Sequence, residues 1–145
     1  MRERKNSLVL FSKPPAPGLV KTRLTTIKDG VFTPEVASAL YHCMLFDVTE
    51  VRSAERAETE GVRDVYELVI STTPASNVGV MRDLYFKAGT WPRPLTFIAD
   101  EGSSFDEHYN HAFAQAFERG ADAVLSMGAD MPALTKADVI AGFDA

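Results

Sequence analysis

Leu8-Val9-Leu10-Phe11-Ser12-Lys13-Pro14-Pro15-Ala16-Pro17-Gly18-Leu19-Val20-Lys21-Thr22-Arg23-Leu24 joins two signals that together point to a fold class. Leu8 to Phe11 is an unbroken apolar run with charge before it and proline soon after, the pattern of a strand buried on both faces. A Pro/Gly-rich loop over 13–18 follows, and cations come directly behind it.

Working outward, strand and helix patterns alternate. Thr33-Pro34-Glu35 is a helix start: Thr33 supplies a capping oxygen, Pro34 takes the first helical position, and Glu35 meets the positive end of the dipole. Ala37, Leu40, Tyr41, Met44, Leu45 and Val48 follow at helical spacing, and Cys43 reads as a small core residue of that helix. Residues 52–64 are rich in Arg, Glu and Asp and read as the exposed helix end plus a loop. Tyr66 to Ser71 is a second strand, and Val78, Met81, Leu84 and Tyr85 mark a second helix. Leu95 to Ile98 is a third strand, and Phe105 to Phe117 carries the apolar stripe of a third helix. Gly120 is placed to end that helix in a left-handed conformation. Ala123 to Met127 is a fourth strand, and Thr135 opens a last short helix. Strands separated by helix-length segments predict an open, mostly parallel α/β sheet with helices on both faces. In such sheets ligands sit at the carboxyl ends of the strands. The loops over 13–24 and 128–134 both fall on that edge.

The chain has 145 residues, which fits one domain over 1–145. Its single cysteine permits no internal disulfide, so a reducing, cytoplasmic setting is expected. No apolar stretch approaches the length of a membrane span. The net charge of −5 argues against a nucleic-acid polymer as partner. Lys13, Lys21, Arg23 and Lys28 nevertheless cluster, which suits a small anionic ligand.

The prolines of the first loop restrict φ and stiffen it, and Gly18 permits positive φ or close approach. Arg23 can engage two phosphate oxygens at once, while Lys13 and Lys21 act as point charges. A P-loop is rejected, because Val20 rather than glycine precedes Lys21-Thr22; a dinucleotide fingerprint fails for want of glycines. At the other end, Asp130 follows the fourth strand through Gly128-Ala129. A carboxylate there is well placed to hold Mg²⁺ or Mn²⁺, hard cations that bridge to substrate phosphates. A turn or cap role is the plainer reading of Asp130 taken alone. Together the two stretches fit transfer chemistry near a diphosphate, with cations and metal neutralising the leaving group.

The stretch Lys13 to Leu24 resembles the opening of a bacterial family of glycosyltransferase-like proteins, the radical-SAM/selenodomain-associated transferases. Gly128-Ala129-Asp130-Met131-Pro132 resembles the same family's second signature. The resemblance implies the GT-A-like, nucleotide-diphospho-sugar transferase fold. It also implies kinship with nucleotidyltransferases that load molybdopterin or phospholactate. By that resemblance Lys13, Lys21 and Arg23 contact the nucleotide phosphates, and Asp130 binds the metal. Ser12, Gly18, Gly102 and His108 join the nucleotide side. A nucleotide-sugar or a nucleoside triphosphate is the implied partner. The sequence departs from the family at three points. Ser104, Asp106 and His108 stand where Asp, Gly and Arg are expected before the third helix. Asp130 is a single carboxylate, so a second metal ligand comes from elsewhere. Family members continue further, so the chain is expected to be a C-terminally truncated portion without the acceptor side.

His108 and His111 share one helical face beside Asp106 and Glu107, which permits a transition-metal site, although a polar face at the ligand edge is the simpler reading. Trp91 offers a face for stacking on a base, although packing over a sheet edge is the commoner role and the favoured reading. Two function classes remain: a metal-dependent glycosyl- or nucleotidyltransferase, and a catalytically inactive nucleotide-binding or interaction module. An uncovered sheet edge would also invite a homodimer.

Overall fold

A computed structural model describes residues 2–52, 58–59, 61–91, 95–128 and 135–145. Five strands are present among them: β1 (Arg2–Phe11), β2 (Glu58–Thr59), β3 (Val62–Thr72), β4 (Leu95–Ala99) and β5 (Ala123–Met127). Four α-helices accompany them: α1 (Pro34–Arg52), α2 (Asn77–Ala88), α3 (Phe105–Glu118) and α4 (Lys136–Asp144). β4, β3, β1 and β5 lie side by side in that order, all parallel. β2 is a short antiparallel partner of β3. The expected parallel α/β sheet is therefore present.

Strand alternation sorts the core into two layers. Leu8, Leu10, Leu68, Ile70 and Phe97 face one side, where they meet Tyr41, Leu45 and Val48 of α1, Met81 and Tyr85 of α2, and Val139 of α4. Val9, Val69 and Ile98 face the other side and meet Ala112 and Ala116 of α3. Small residues at these two α3 positions let the helix lie close to the sheet. The helix ends follow local chemistry. Val36 N–H donates to Thr33 Oγ1 at 3.3 Å. Thr135 and Asp138 form a reciprocal capping box. Gly120, at φ 94°, ends α3 while Ala121 N–H reaches back to the Ala116 carbonyl at 3.2 Å.

Two local expectations are corrected, the strand starts and the core face of α1. β1 begins at Arg2 rather than Leu8, and β3 at Val62 rather than Tyr66. The charged residues there are paired across the strands: Arg4 Nε lies 2.6 Å from Asp64 Oδ1 and Arg63 lies 3.5 Å from Glu3. Charge pairing between neighbouring strands leaves no apolar trace in the sequence. Cys43 is exposed. The buried stripe of α1 runs through Ala37, Tyr41, Leu45 and Val48, and position 43 points away from it. Leu40 is likewise 40 % exposed. Trp91 packs against Phe46 and Tyr85 and donates from its indole nitrogen to the Tyr85 carbonyl at 2.9 Å. It is a packing residue rather than a base platform.

Leu10 is fully buried in the central strand and Val31 is 87 % exposed. Leu10→Ala should cost about 3 kcal/mol of unfolding free energy, and Val31→Ala less than about 0.5 kcal/mol, in urea denaturation of the two variants.

Candidate functional site

The carboxyl end of β1 is continued by a loop whose shape follows from its sequence. Ser12 N–H donates to the Ser71 carbonyl at 2.9 Å, one last bond after the strand. Lys13 N–H donates to the Tyr41 hydroxyl of α1 at 2.9 Å. Ala16-Pro17-Gly18-Leu19 is a turn closed by Leu19 N–H to the Ala16 carbonyl at 3.1 Å, with Gly18 at φ 81°. Proline second and a positive-φ glycine third are the requirements of a type II turn. Val20 then drops into the core, 4 % exposed.

Lys21 adopts the left-handed conformation, φ 50° and ψ 36°, and opens the short 3-10 turn Thr22–Leu24. That conformation costs a non-glycine residue about 1 kcal/mol. The segment behind it supports the turn. Thr25 is fully buried and donates from Oγ1 to the Thr22 carbonyl at 2.8 Å. Phe32 N–H bonds the Leu24 carbonyl at 3.0 Å, and Gly30 N–H the Thr25 carbonyl at 2.7 Å. A Cβ at Gly30 would lie 2.2 Å from the Leu24 carbonyl carbon, so only glycine lets the two chains pass.

This loop forms one wall of an open cavity of about 660 Å³ at the carboxyl edge of the sheet. Lys13, Lys21 and Arg23 all line it, as does Ser12. The floor is Phe11 from β1, Ser71 to Thr73 at the end of β3, and Asp100 just after β4. Phe105, His108 and Tyr109 of α3 form the opposite wall. Of the residues expected from sequence, Ser12, Lys13, Lys21, Arg23 and His108 are brought together. Gly18 shapes the loop without lining the cavity, and Lys28 lies outside it. Gly102 is also off the lining; a Cβ there would sit 2.5 Å from Glu107 Cβ, so its role is to let the chain enter α3. Asp130, Met131 and Pro132 lie outside the described residues.

Sequence reading missed the polar floor. Ser71 Oγ donates to Asp100 Oδ2 at 2.6 Å, and Asp100 Oδ1 lies 2.7 Å from His108 Nδ1. Asp100 was open to detection, since it follows the apolar run of β4 as Asp130 follows that of β5. Ser71 reads as an ordinary strand residue. The hydroxyls of Ser12 and Thr72 are buried with no hydrogen-bond partner among the described residues. His111 Nδ1 accepts from Glu101 N–H at 2.9 Å. The two histidines are thus engaged separately and do not converge. Among the described residues no group of three or more His, Cys, Asp and Glu is placed to hold a metal. Each carboxylate oxygen of Asp100 takes part in one of these bonds.

The fold of the chain is GT-A-like, that of the nucleotide-diphospho-sugar transferase superfamily. Its structure superimposes on the crystal structure of a "putative nucleotide-diphospho-sugar transferase" from Desulfovibrio desulfuricans G20 with a TM-score of 0.69 and 27 % sequence identity. The match covers 96 % of this chain and 53 % of that one, so the chain spans about half the length of the solved protein. The chain belongs to the family described as "Uncharacterized protein conserved in bacteria (DUF2064)", which matches residues 61–145. No curated protein matches it. Among the described residues no helix is long and apolar enough to cross a membrane.

The entrance to α3 carries a pH-dependent contact. Glu107 accepts hydrogen bonds from Ser103 N–H at 2.6 Å and Ser103 Oγ at 2.7 Å, which hold its carboxyl below the ordinary carboxylate range. Asp138 is lowered in the same way by Thr135. A lowered native value means that the linked stability is present above the ordinary values, 4.5 for Glu107 and 3.8 for Asp138. It is lost as pH falls below them through the native values. Glu107→Gln should flatten the acid limb of a denaturation-midpoint profile taken over roughly pH 2 to 6. An unchanged limb would exclude this contact as its source.

Proposed function

We propose that the chain binds the diphosphate of an activated nucleotide and serves a metal-dependent glycosyl- or nucleotidyl-transfer reaction. One observation carries the reading: Lys13, Lys21 and Arg23 share the lining of a single cavity at the carboxyl edge of a parallel sheet. The superfamily likeness supports it, and the first loop points within that superfamily to the radical-SAM/selenodomain-associated transferases. Lys21 and Arg23 would stabilise charge on the departing phosphate oxygens, with Arg23 engaging two of them. Lys13, Ser12 and the Gly18 turn would flank the nucleotide on the loop side, with His108 facing it from α3. Asp130 would hold Mg²⁺ or Mn²⁺, supplying further neutralisation of the leaving group.

A thermal-shift screen of nucleoside triphosphates and nucleotide-sugars, with and without Mg²⁺ or Mn²⁺, tests the reading. A ligand at about 100 times its dissociation constant should stabilise the protein by about 2.7 kcal/mol. No shift with any nucleotide or metal would sink the proposal. Released nucleoside diphosphate marks sugar transfer, released pyrophosphate marks nucleotidyl transfer, and neither marks binding alone. Arg23 is exposed, so Arg23→Glu should leave unfolding within about 0.5 kcal/mol of the parent while abolishing the ligand-induced shift. Unfolding of that variant would instead make Arg23 a structural residue.

A further inference from the structure

Three side chains from three elements form a hydrogen-bonded series across the cavity floor. Ser71 is the next-to-last residue of β3 and is fully buried. Asp100 follows β4, with its side chain 5 % exposed. His108 stands in α3, with its side chain 28 % exposed on the cavity wall. Ser71 Oγ donates to one carboxylate oxygen of Asp100 at 2.6 Å, and the other oxygen lies 2.7 Å from His108 Nδ1. An ionised Asp100 only accepts, so Nδ1 carries the proton in that bond. The neutral ring must then keep its lone pair on Nε2, and Nε2 has no partner among the described residues. A buried carboxylate that fixes the tautomer and balances the charge of an imidazolium is the arrangement that makes histidine an effective proton acceptor.

We infer that His108 is the proton acceptor of this site, oriented by Asp100 with Ser71 behind it. The inference rests on the transferase reading above. In transfer to an acceptor hydroxyl, a lone pair of the acceptor oxygen forms the new bond to the electrophilic centre of the donor. The bond from that centre to the departing phosphate oxygen breaks, and its electron pair leaves on that oxygen. The hydroxyl proton passes to His108 Nε2, and the resulting imidazolium is balanced by Asp100. The division of the cavity favours this role over a further phosphate contact. The cations Lys13, Lys21 and Arg23 occupy the loop side, and His108 faces them from α3. Among the described residues, the charged and titratable groups around the ring are those cations with Asp100, Glu107 and Tyr109, and of these Asp100 alone is bonded to it. Asp100 is thus a positioning residue and His108 the group that meets substrate.

The test is long-range ¹H–¹⁵N correlation of the histidine rings in the full chain, at a pH where the rings are neutral, with and without pyrophosphate. His108 should show a protonated Nδ1 and a bare Nε2, and pyrophosphate should perturb the Nε2 signal. Asp100→Asn should mix or reverse the tautomer, because the amide can offer either its oxygen or its nitrogen to Nδ1. If Asp100→Asn does not fold, the parent's tautomer is read together with the response of its Nε2 signal to pyrophosphate, and a bare Nε2 that pyrophosphate leaves unmoved overturns the inference. His108→Gln should retain pyrophosphate affinity to within about threefold, while Arg23→Ala should lose at least about tenfold. A protonated Nε2 in the parent overturns the inference. So does a loss in His108→Gln equal to that in Arg23→Ala, which would make His108 a phosphate ligand. Both results leave the phosphate reading standing. Absence of any pyrophosphate binding overturns the phosphate reading, and the proton-acceptor role falls with it.

Discussion

β1 is hydrogen-bonded along both sides, to β3 over Arg2–Phe11 and to β5 over Asn6–Leu10. The chain builds outward from β1 through β3 to β4, then returns across the opposite face in α3 and adds β5 on the far side of β1. The segment leaving β1 heads toward the α1 face, while α3 lies on the other. The two diverge at the carboxyl end of the central strand and leave a cleft between them, which is where open α/β sheets bind ligands. Without the double pairing of β1, the Lys13–Leu24 loop and the start of α3 would have no common floor.

That floor is polar where the rest of the sheet is apolar. Each buried polar group there needs a partner or carries a desolvation cost. Ser71, Asp100 and His108 satisfy one another. Ser12 and Thr72 do not, and they sit at adjacent ends of β1 and β3 facing the α1 side. These two hydroxyls have no partner among the described residues, and on the proposed reading an oxygen-rich ligand would complete them. The rim differs in kind: Leu19 and Phe105 are 68 % and 77 % exposed.

Much of this was readable from residues, for reasons that differ by element. The buried strands were legible because Leu8–Phe11 and Ala123–Met127 are continuous apolar runs, and α3 because its stripe repeats at helical spacing. The outer halves of β1 and β3 were not legible. Arg4 and Asp64 are stabilised by each other rather than by burial of carbon, and a pairing between distant residues has no local period. Cys43 misled because a small apolar residue inside an amphipathic helix reads as core, whereas the helix phase set by Tyr41, Leu45 and Val48 turns it outward. On the site, the cations of one loop could be read as a group because they are contiguous. Ser71, Asp100 and His108 come from three elements, and only the parallel register of β3 with β4 brings Ser71 and Asp100 together.

The two walls differ in how they hold their groups. The loop wall is self-supporting: its turns, the glycine crossing at Gly30 and the buried Thr25 fix Lys21 and Arg23 with few contacts to α3. The α3 wall depends on its capped N-terminus, where Ser104, Glu107 and Gly102 set the angle at which His108 leaves the helix. Charge screening acts over about 8 Å at physiological ionic strength. In a chain of net charge −5, the cations of one cleft therefore attract an anion only once it is near. Such a local field favours a small polyphosphate over an extended polyanion, which would also meet the acidic surroundings. On the proposed reading, phosphate capture falls to the loop wall and the reacting group to α3.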